Sequence, residues 1–276
     1  MNPGHRIHPA SLSMSSIFVF SVRALDCNIR VETACREAYD MLVRYIFPPL
    51  PKSDSPLDPP QILVCVKKLR ERFQISVDGA EVATACDVMD AVLASIKALD
   101  DVVIKRLSNL YAVHAGAVVL GGRALLIPGS SHAGKSSMVA ELLRRGAIYL
   151  SDEYALIDEH GLVHPYPRPM LLRNGKPRQS PTLPEEFNAC FASGPVPIGW
   201  ILNLEYEAGS VWSVQKVPQG EAVLILLKNT PHALAESPAM TTTFLQAVTK
   251  AGCYSGRRGD VIPAADQILK LVGAAI

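Results

Sequence analysis

The chain has 276 residues, enough for one large domain or two modest ones, and its 49% hydrophobic content is ample for a buried core. Its 27 Lys and Arg nearly balance 26 Asp and Glu, so the overall charge gives no basis for a nucleic-acid partner, and none is expected. Six cysteines, at 27, 35, 65, 86, 190 and 253, include no CxxC pair, which excludes the usual zinc and disulfide-scaffold spacings and favours a reducing, cytoplasmic setting.

Residues 1–15 read as a flexible, polar N-terminus, and the apolar run Ile17–Val22 is too short for an export signal. No stretch approaches the length needed to span a bilayer, so no membrane partner is expected. Ser16–Arg23 alternates as a strand does, and Ile29–Val31 extends a small sheet. Glu32–Ile46 carries apolar residues at helical spacing and stops against Pro48 and Pro49, which cannot continue the hydrogen-bond ladder. The run PPLPKSDSPLDPP, residues 48–60, is a linker or a stiff loop. Strands follow at Ile62–Val66 and Phe73–Val77, a turn at Asp78–Gly79 and a helix over Asp87–Leu99. Together these make a small N-terminal α/β region, residues 16–105.

The second region covers residues 106–276. Val113–Leu120 and Arg123–Pro128 are apolar runs joined by Gly121–Gly122, a hairpin signal because glycine accepts the positive φ such turns require. Helices are expected at Ser136–Arg145, Met240–Lys250 and Ala264–Val272. Strands are expected at Ile148–Leu150, Ala155–Ile157, Ile198–Leu204 and Val223–Leu227. The pattern is α/β, a mixed sheet with flanking helices.

Gly129-Ser130-Ser131-His132-Ala133-Gly134-Lys135-Ser136 matches G-x-x-x-x-G-K-[ST] in full, with the apolar ALLIP before it and the amphipathic SSMVAELLRRG after it. The two glycines let the backbone curl so that its N–H groups converge on phosphate oxygens. A helix start adds unpaired N–H groups and the positive end of its dipole. Lys135 would reach the β and γ phosphates, and Ser136 would offer its hydroxyl to Mg²⁺. Ser137 closes the binding run. His132 is an incidental loop side chain that lines the entry.

LSDEYALID then places Asp152 and Glu153 near a strand end, where acidic residues of phosphate-loop proteins serve the metal or take a proton. Adjacent strand residues point to opposite faces, so the two acids take separate roles, and spacing does not decide which is the base.

HAGAVV, GSSHAGKSS and LSDEYALID together resemble the HPr kinase/phosphorylase superfamily, especially its shorter HPr-kinase-related members, and through it the nucleotide-binding core of phosphoenolpyruvate carboxykinase. The likeness covers about residues 110–270. It implies a mixed-sheet phosphate-loop kinase core of that type, with ATP and Mg²⁺ as cofactors. It implies that His114 matches the histidine before the hairpin, that Asp152 is the base for a serine hydroxyl, and that Ser136, Asp152 and Glu153 serve the metal. Glu153 stands where the family carries an aspartate.

In the segment HPYPRPMLLRNG, Arg168 and Arg173 are candidates for phosphate or acceptor contacts, and SGRRGD offers Arg257 and Arg258 on a basic loop that closes over the phosphate. The resemblance further implies an ATP-dependent kinase acting on a peptide or protein serine, including ribosomally made precursors of the lasso type. It implies assembly into homo-oligomers of a number that the sequence leaves open. A kinase of a small hydroxylated metabolite and a nucleotide-binding regulator or NTPase stand as alternatives. A carboxykinase fits least, because the chain is short and shows no carboxylate-substrate site.

Overall fold

Side chains that alternate between buried and half-buried positions along its central strands build the first of two large sheets. The computed structural model describes residues 16–55, 59–130, 133–173, 175–231 and 238–273. The N-terminus before residue 16, the loop residues Ser131 and His132, and residues 56–58 of the proline-rich run lie outside the described residues. β1 (Phe18–Ala24) and β2 (Cys27–Thr33) form a hairpin. α1 (Arg36–Tyr45) then crosses over to β3 (Ile62–Leu69), which lies parallel to β2. β4 (Arg72–Val77) and β5 (Ala80–Ala85) complete an antiparallel meander, turning at Asp78–Gly79 as expected. β2 reads buried-intermediate throughout because one face lies on the helices. Glu32 and Thr33 belong to β2 rather than to the helix, since both residues pair with β3.

α2 (Val88–Lys105) begins where the Asp87 side chain accepts from the Asp90 N–H at 2.8 Å, satisfying one free donor of the helix start. It packs on this sheet.

The second sheet is mixed. β6 (Leu110–Leu120) and β7 (Arg123–Pro128) form the hairpin expected from Gly121–Gly122, whose φ values are 54° and 75°. α3 (Lys135–Arg144) follows β7 directly. β8 (Ile148–Ser151) and β9 (Tyr154–Asp158) both pair antiparallel with β6, and β10 (Leu162–His164) pairs with β9. β11 (Met170–Leu172) and β12 (Ser180–Thr182) make a separate small ribbon. β13 (Val196–Tyr206) runs parallel to β7, while β14 (Ser213–Lys216) is an antiparallel edge. α4 (Gln219–Lys228), α5 (Pro238–Thr249), β15 (Gly252–Arg258) and α6 (Val261–Val272) end the chain. β15 lies between β13 and β14.

Two expectations are corrected here. Val223–Leu227 is helical, the core of α4, and not a strand: Ala222, Val223, Ile225 and Leu226 are buried while Leu224 is exposed. A short continuous apolar run has no period by which to tell the two apart. The basic segment at 255–258 is not a loop, because β15 is held on both sides by β13 and β14. Gly256 permits the close approach to β14, since a Cβ there would lie 2.0 Å from the Ser213 carbonyl oxygen.

Each face of the mixed sheet carries its own core. Val113, Ala115 and Ala117 of β6 pack with α4 and α5, and Val118 and Leu120 pack with α3 and α6. The core of the first sheet is closed by three residues of the second region, Ala112, Leu156 and Tyr166.

Candidate active site

Gly134 caps α3 in the left-handed region at φ 77°, a conformation that suits glycine, and the chain enters the helix at Lys135. Lys135 is 7% exposed, and its Nζ donates to the carbonyls of Gly129 at 2.9 Å and Ser130 at 3.0 Å. Burial lowers its pKa, and the charges of Glu153 and Asp152 pull back toward the ordinary value. This is a desolvated cation held by neutral partners at the positive end of a helix, an environment suited to an anion.

The acidic pair falls where β8 stops and β9 starts. The Ser151 hydroxyl accepts from the N–H groups of Glu153 and Tyr154, turning the chain at the break. The two carboxylates therefore diverge. Asp152 is 1% exposed: Oδ1 accepts from the Tyr149 hydroxyl at 3.2 Å and from Arg168 Nη1 at 3.4 Å, and Oδ2 from the Leu171 N–H at 3.4 Å. Ser136 also hydrogen-bonds it. Burial raises the Asp152 pKa against the pull of Arg168.

Glu153 turns outward and lines a cavity of about 910 Å³ together with His114, Lys135 and Ser136. Its Oε1 lies 2.9 Å from His114 Nε2, and its Oε2 is 3.4 Å from Arg168 Nη1. Burial works to raise its pKa, but His114, Arg168 and Lys135 outweigh it and hold it down at about 2.

Arg168 stands between Pro167 and Pro169, and the ring of Pro169 disfavours helical conformations for the Arg168 backbone. It is 2% exposed, and its Nη2 pairs with Asp100 Oδ2 at 3.0 Å. Its Nε is the one buried side-chain nitrogen or oxygen without a hydrogen-bond partner among the described residues. Three acids hold its pKa above the ordinary arginine value despite burial.

Asp100 escaped the sequence reading. It lies on α2, far from the motifs, and the signal was its place in the apolar stripe with Ile96 and Val103, where a carboxylate needs a buried partner. Tyr166, whose hydroxyl donates to Asp100 at 2.7 Å, was missed although it stands two residues before Arg168, because nothing local marks its hydroxyl as the partner of a distant carboxylate.

Of the other candidates, Ser137 and Arg173 line the cavity, and Arg173 has no ion-pair partner among the described residues. Arg258 does not face the cavity. It donates to the carbonyls of Ala133 at 3.1 Å and Gly134 at 3.4 Å, fixing the start of α3 from behind. Arg257 points away and pairs with Glu207 at 2.9 Å. Among the described residues no group of three or more His, Cys, Asp or Glu side chains forms a metal cluster. Ser136 and Glu153 nevertheless line one cavity with Asp152 directly behind, and all three are hard oxygen donors of the type that Mg²⁺ takes alongside substrate phosphates.

No family model matches the chain, and no curated protein does. Among solved structures, the HPr(Ser) kinase/phosphatase from Coxiella burnetii aligns over 58% of this chain and 97% of its own at 13% identity, with a TM-score of 0.30. A superposition that loose carries no weight for fold or activity. No helix among the described residues is long and apolar enough to cross a membrane.

Proposed function

We propose that this chain is an ATP-dependent kinase that phosphorylates a serine hydroxyl of a peptide or protein, with a phosphate-loop core of the HPr kinase type. The observation that carries the reading is Lys135: a buried cation at a helix N-terminus, held only by carbonyls and facing a carboxylate across a large cavity. The phosphates would rest on residues 129–136, against the N–H groups at the start of α3 and Lys135. Ser136, which lines the cavity, would hold Mg²⁺ through its hydroxyl oxygen, and Asp152 behind it would orient that hydroxyl by hydrogen bonding. Mg²⁺ supplies neutralisation of the phosphate charge when bound.

Glu153 is the better base, because it lines the cavity whereas Asp152 is sealed behind it. The serine oxygen bonds to the γ phosphorus, the bond to the β–γ bridging oxygen breaks, and ADP leaves. The hydroxyl proton passes to Glu153 Oε, whose direction His114 fixes. A carboxylate held near 2 is a weak base, so positioning supplies most of the rate, as phosphoryl transfer allows.

Mass spectrometry of serine-bearing peptides incubated with ATP and Mg²⁺ tests the reading. One phosphate gained on a peptide, and none with Lys135→Ala or Glu153→Gln, is the expected result. ATP breakdown without any modified acceptor would instead make the chain an NTPase.

A further inference from the structure

One wall of the cavity comes from the N-terminal region. α2 presents Lys97, Asp100 and Asp101 to it, residues three and four apart on one helical face. Asp100 is the buried member of the three, 6% exposed. Both of its oxygens are taken, Oδ1 by the Tyr166 hydroxyl and Oδ2 by Arg168. The other terminal nitrogen of the same guanidinium reaches Asp152 Oδ1 and Glu153 Oε2. A guanidinium is planar and rigid, so fixing one terminal nitrogen fixes the direction of the other.

We infer that Asp100 is a positioning residue for phosphoryl transfer, acting from the N-terminal region through Arg168 to set the orientation of Glu153. The inference rests on the transfer reading given above. With Asp100 in place, Arg168 is divided between two elements and held at the edge of bonding distance from Glu153. Without that anchor, the buried cation would turn wholly toward Asp152 and Glu153, drawing the Glu153 carboxylate off its line with His114 and weakening it further as a base.

The charge state of Asp100 agrees. Burial raises its pKa to about 6 although Arg168 and Tyr166 oppose it, so Asp100 is ionised at neutral pH, as the pairing requires. Lys97 and Asp101 flank Asp100 on the open side, so an acceptor seated in the cavity would lie against the same helix that sets Glu153.

Steady-state kinetics of the full chain, with an acceptor peptide found by mass spectrometry, decide it. Asp100→Asn is expected to lower kcat by roughly 10–100-fold, the scale of a small misplacement of reacting groups, with the KM for ATP within about twofold. Asp100→Glu is expected to recover part of that loss. Binding of a fluorescent ATP analogue by Asp100→Asn is expected to stay at the wild-type level. An unchanged kcat overturns the inference, and so does a loss of nucleotide binding in step with kcat, which would mark a structural role.

If Asp100→Asn does not fold, Tyr166→Phe serves, because it frees one oxygen of Asp100 and keeps the aromatic ring that fills the core. It is expected to lower kcat about threefold or more at constant KM, and no change overturns the proposal. A wild-type chain that modifies no acceptor overturns the transfer reading and this inference with it. A wild-type chain that does modify one, with Asp100→Asn equally active, overturns this inference alone.

Discussion

Lys135 and the acids around Arg168 divide the work at the scale of single residues. Lys135 has lost its water for two carbonyls, which stabilise an ammonium less than a carboxylate does. Lys135→Met should therefore weaken ATP binding by about tenfold or more while leaving the melting temperature of the free chain unchanged or raised. Nucleotide titration and calorimetry on one sample check both halves, and a melting temperature lowered in proportion to affinity would count against the reading.

The acids respond to pH with opposite signs. Glu153 has a folded pKa held at about 2, below its unfolded value, so its stabilising contribution is complete above about 4.5 and fades as pH falls toward 2. Asp100 has a folded pKa raised to about 6, so the folded state holds its proton more tightly and stability drops as pH rises from about 4 to 6. Denaturant unfolding across this range should show Asp100→Asn flattening the upper slope and Glu153→Gln the lower arm.

At the scale of elements, legibility followed the strength of the local signal. Gly121–Gly122 announced the β6–β7 hairpin, and the G-x-x-x-x-G-K-S run announced the strand-to-helix passage, because both patterns answer backbone needs that few other residues meet. α4 was misread because its apolar run has no period, and β10, β11 and β12 were missed because three residues are too few to show one. Asp100 was not legible as a site residue because only the packing of α2 brings it to Tyr166 and Arg168.

The seating of α3 on β6 rests on a feature the sequence reading passed over. A Cβ at Gly116 would lie 2.7 Å from Val139 Cγ2 and 3.7 Å from Lys135 Cβ. Gly116→Val would push α3, and Lys135 with it, off the strand. Such overpacking should cost roughly 1–3 kcal/mol and weaken ATP binding in a chain that still folds. Denaturation and nucleotide titration measure the two effects, and unaltered affinity would show that α3 absorbs the strain elsewhere.

On the scale of the whole molecule, the sequence suggested two regions, and the packing ties them together. Tyr166 is fully buried in the core of the first sheet, with ring contacts to Phe47 at 5.8 Å and Tyr154 at 6.2 Å. Ala112 and Leu156 join the same core from the second region, and Arg178 reaches back to Asp87 at 2.8 Å. A first sheet that completes its core with residues of the second has little reason to melt alone, so one cooperative transition is expected.

The chain supplies its own probes. Both tryptophans, Trp200 and Trp212, lie in the second region, so fluorescence reports that region while circular dichroism reports both. The two curves should coincide in the wild type. Tyr166→Ala removes a large buried ring and should cost about 3–5 kcal/mol, with the curves separating as the first sheet loosens earlier than the second. Curves already separate in the wild type would mean that the regions are stable independently. The Asp100–Arg168 pair would then join two independently folding bodies, and its hold on Glu153 would weaken at temperatures where the first sheet opens.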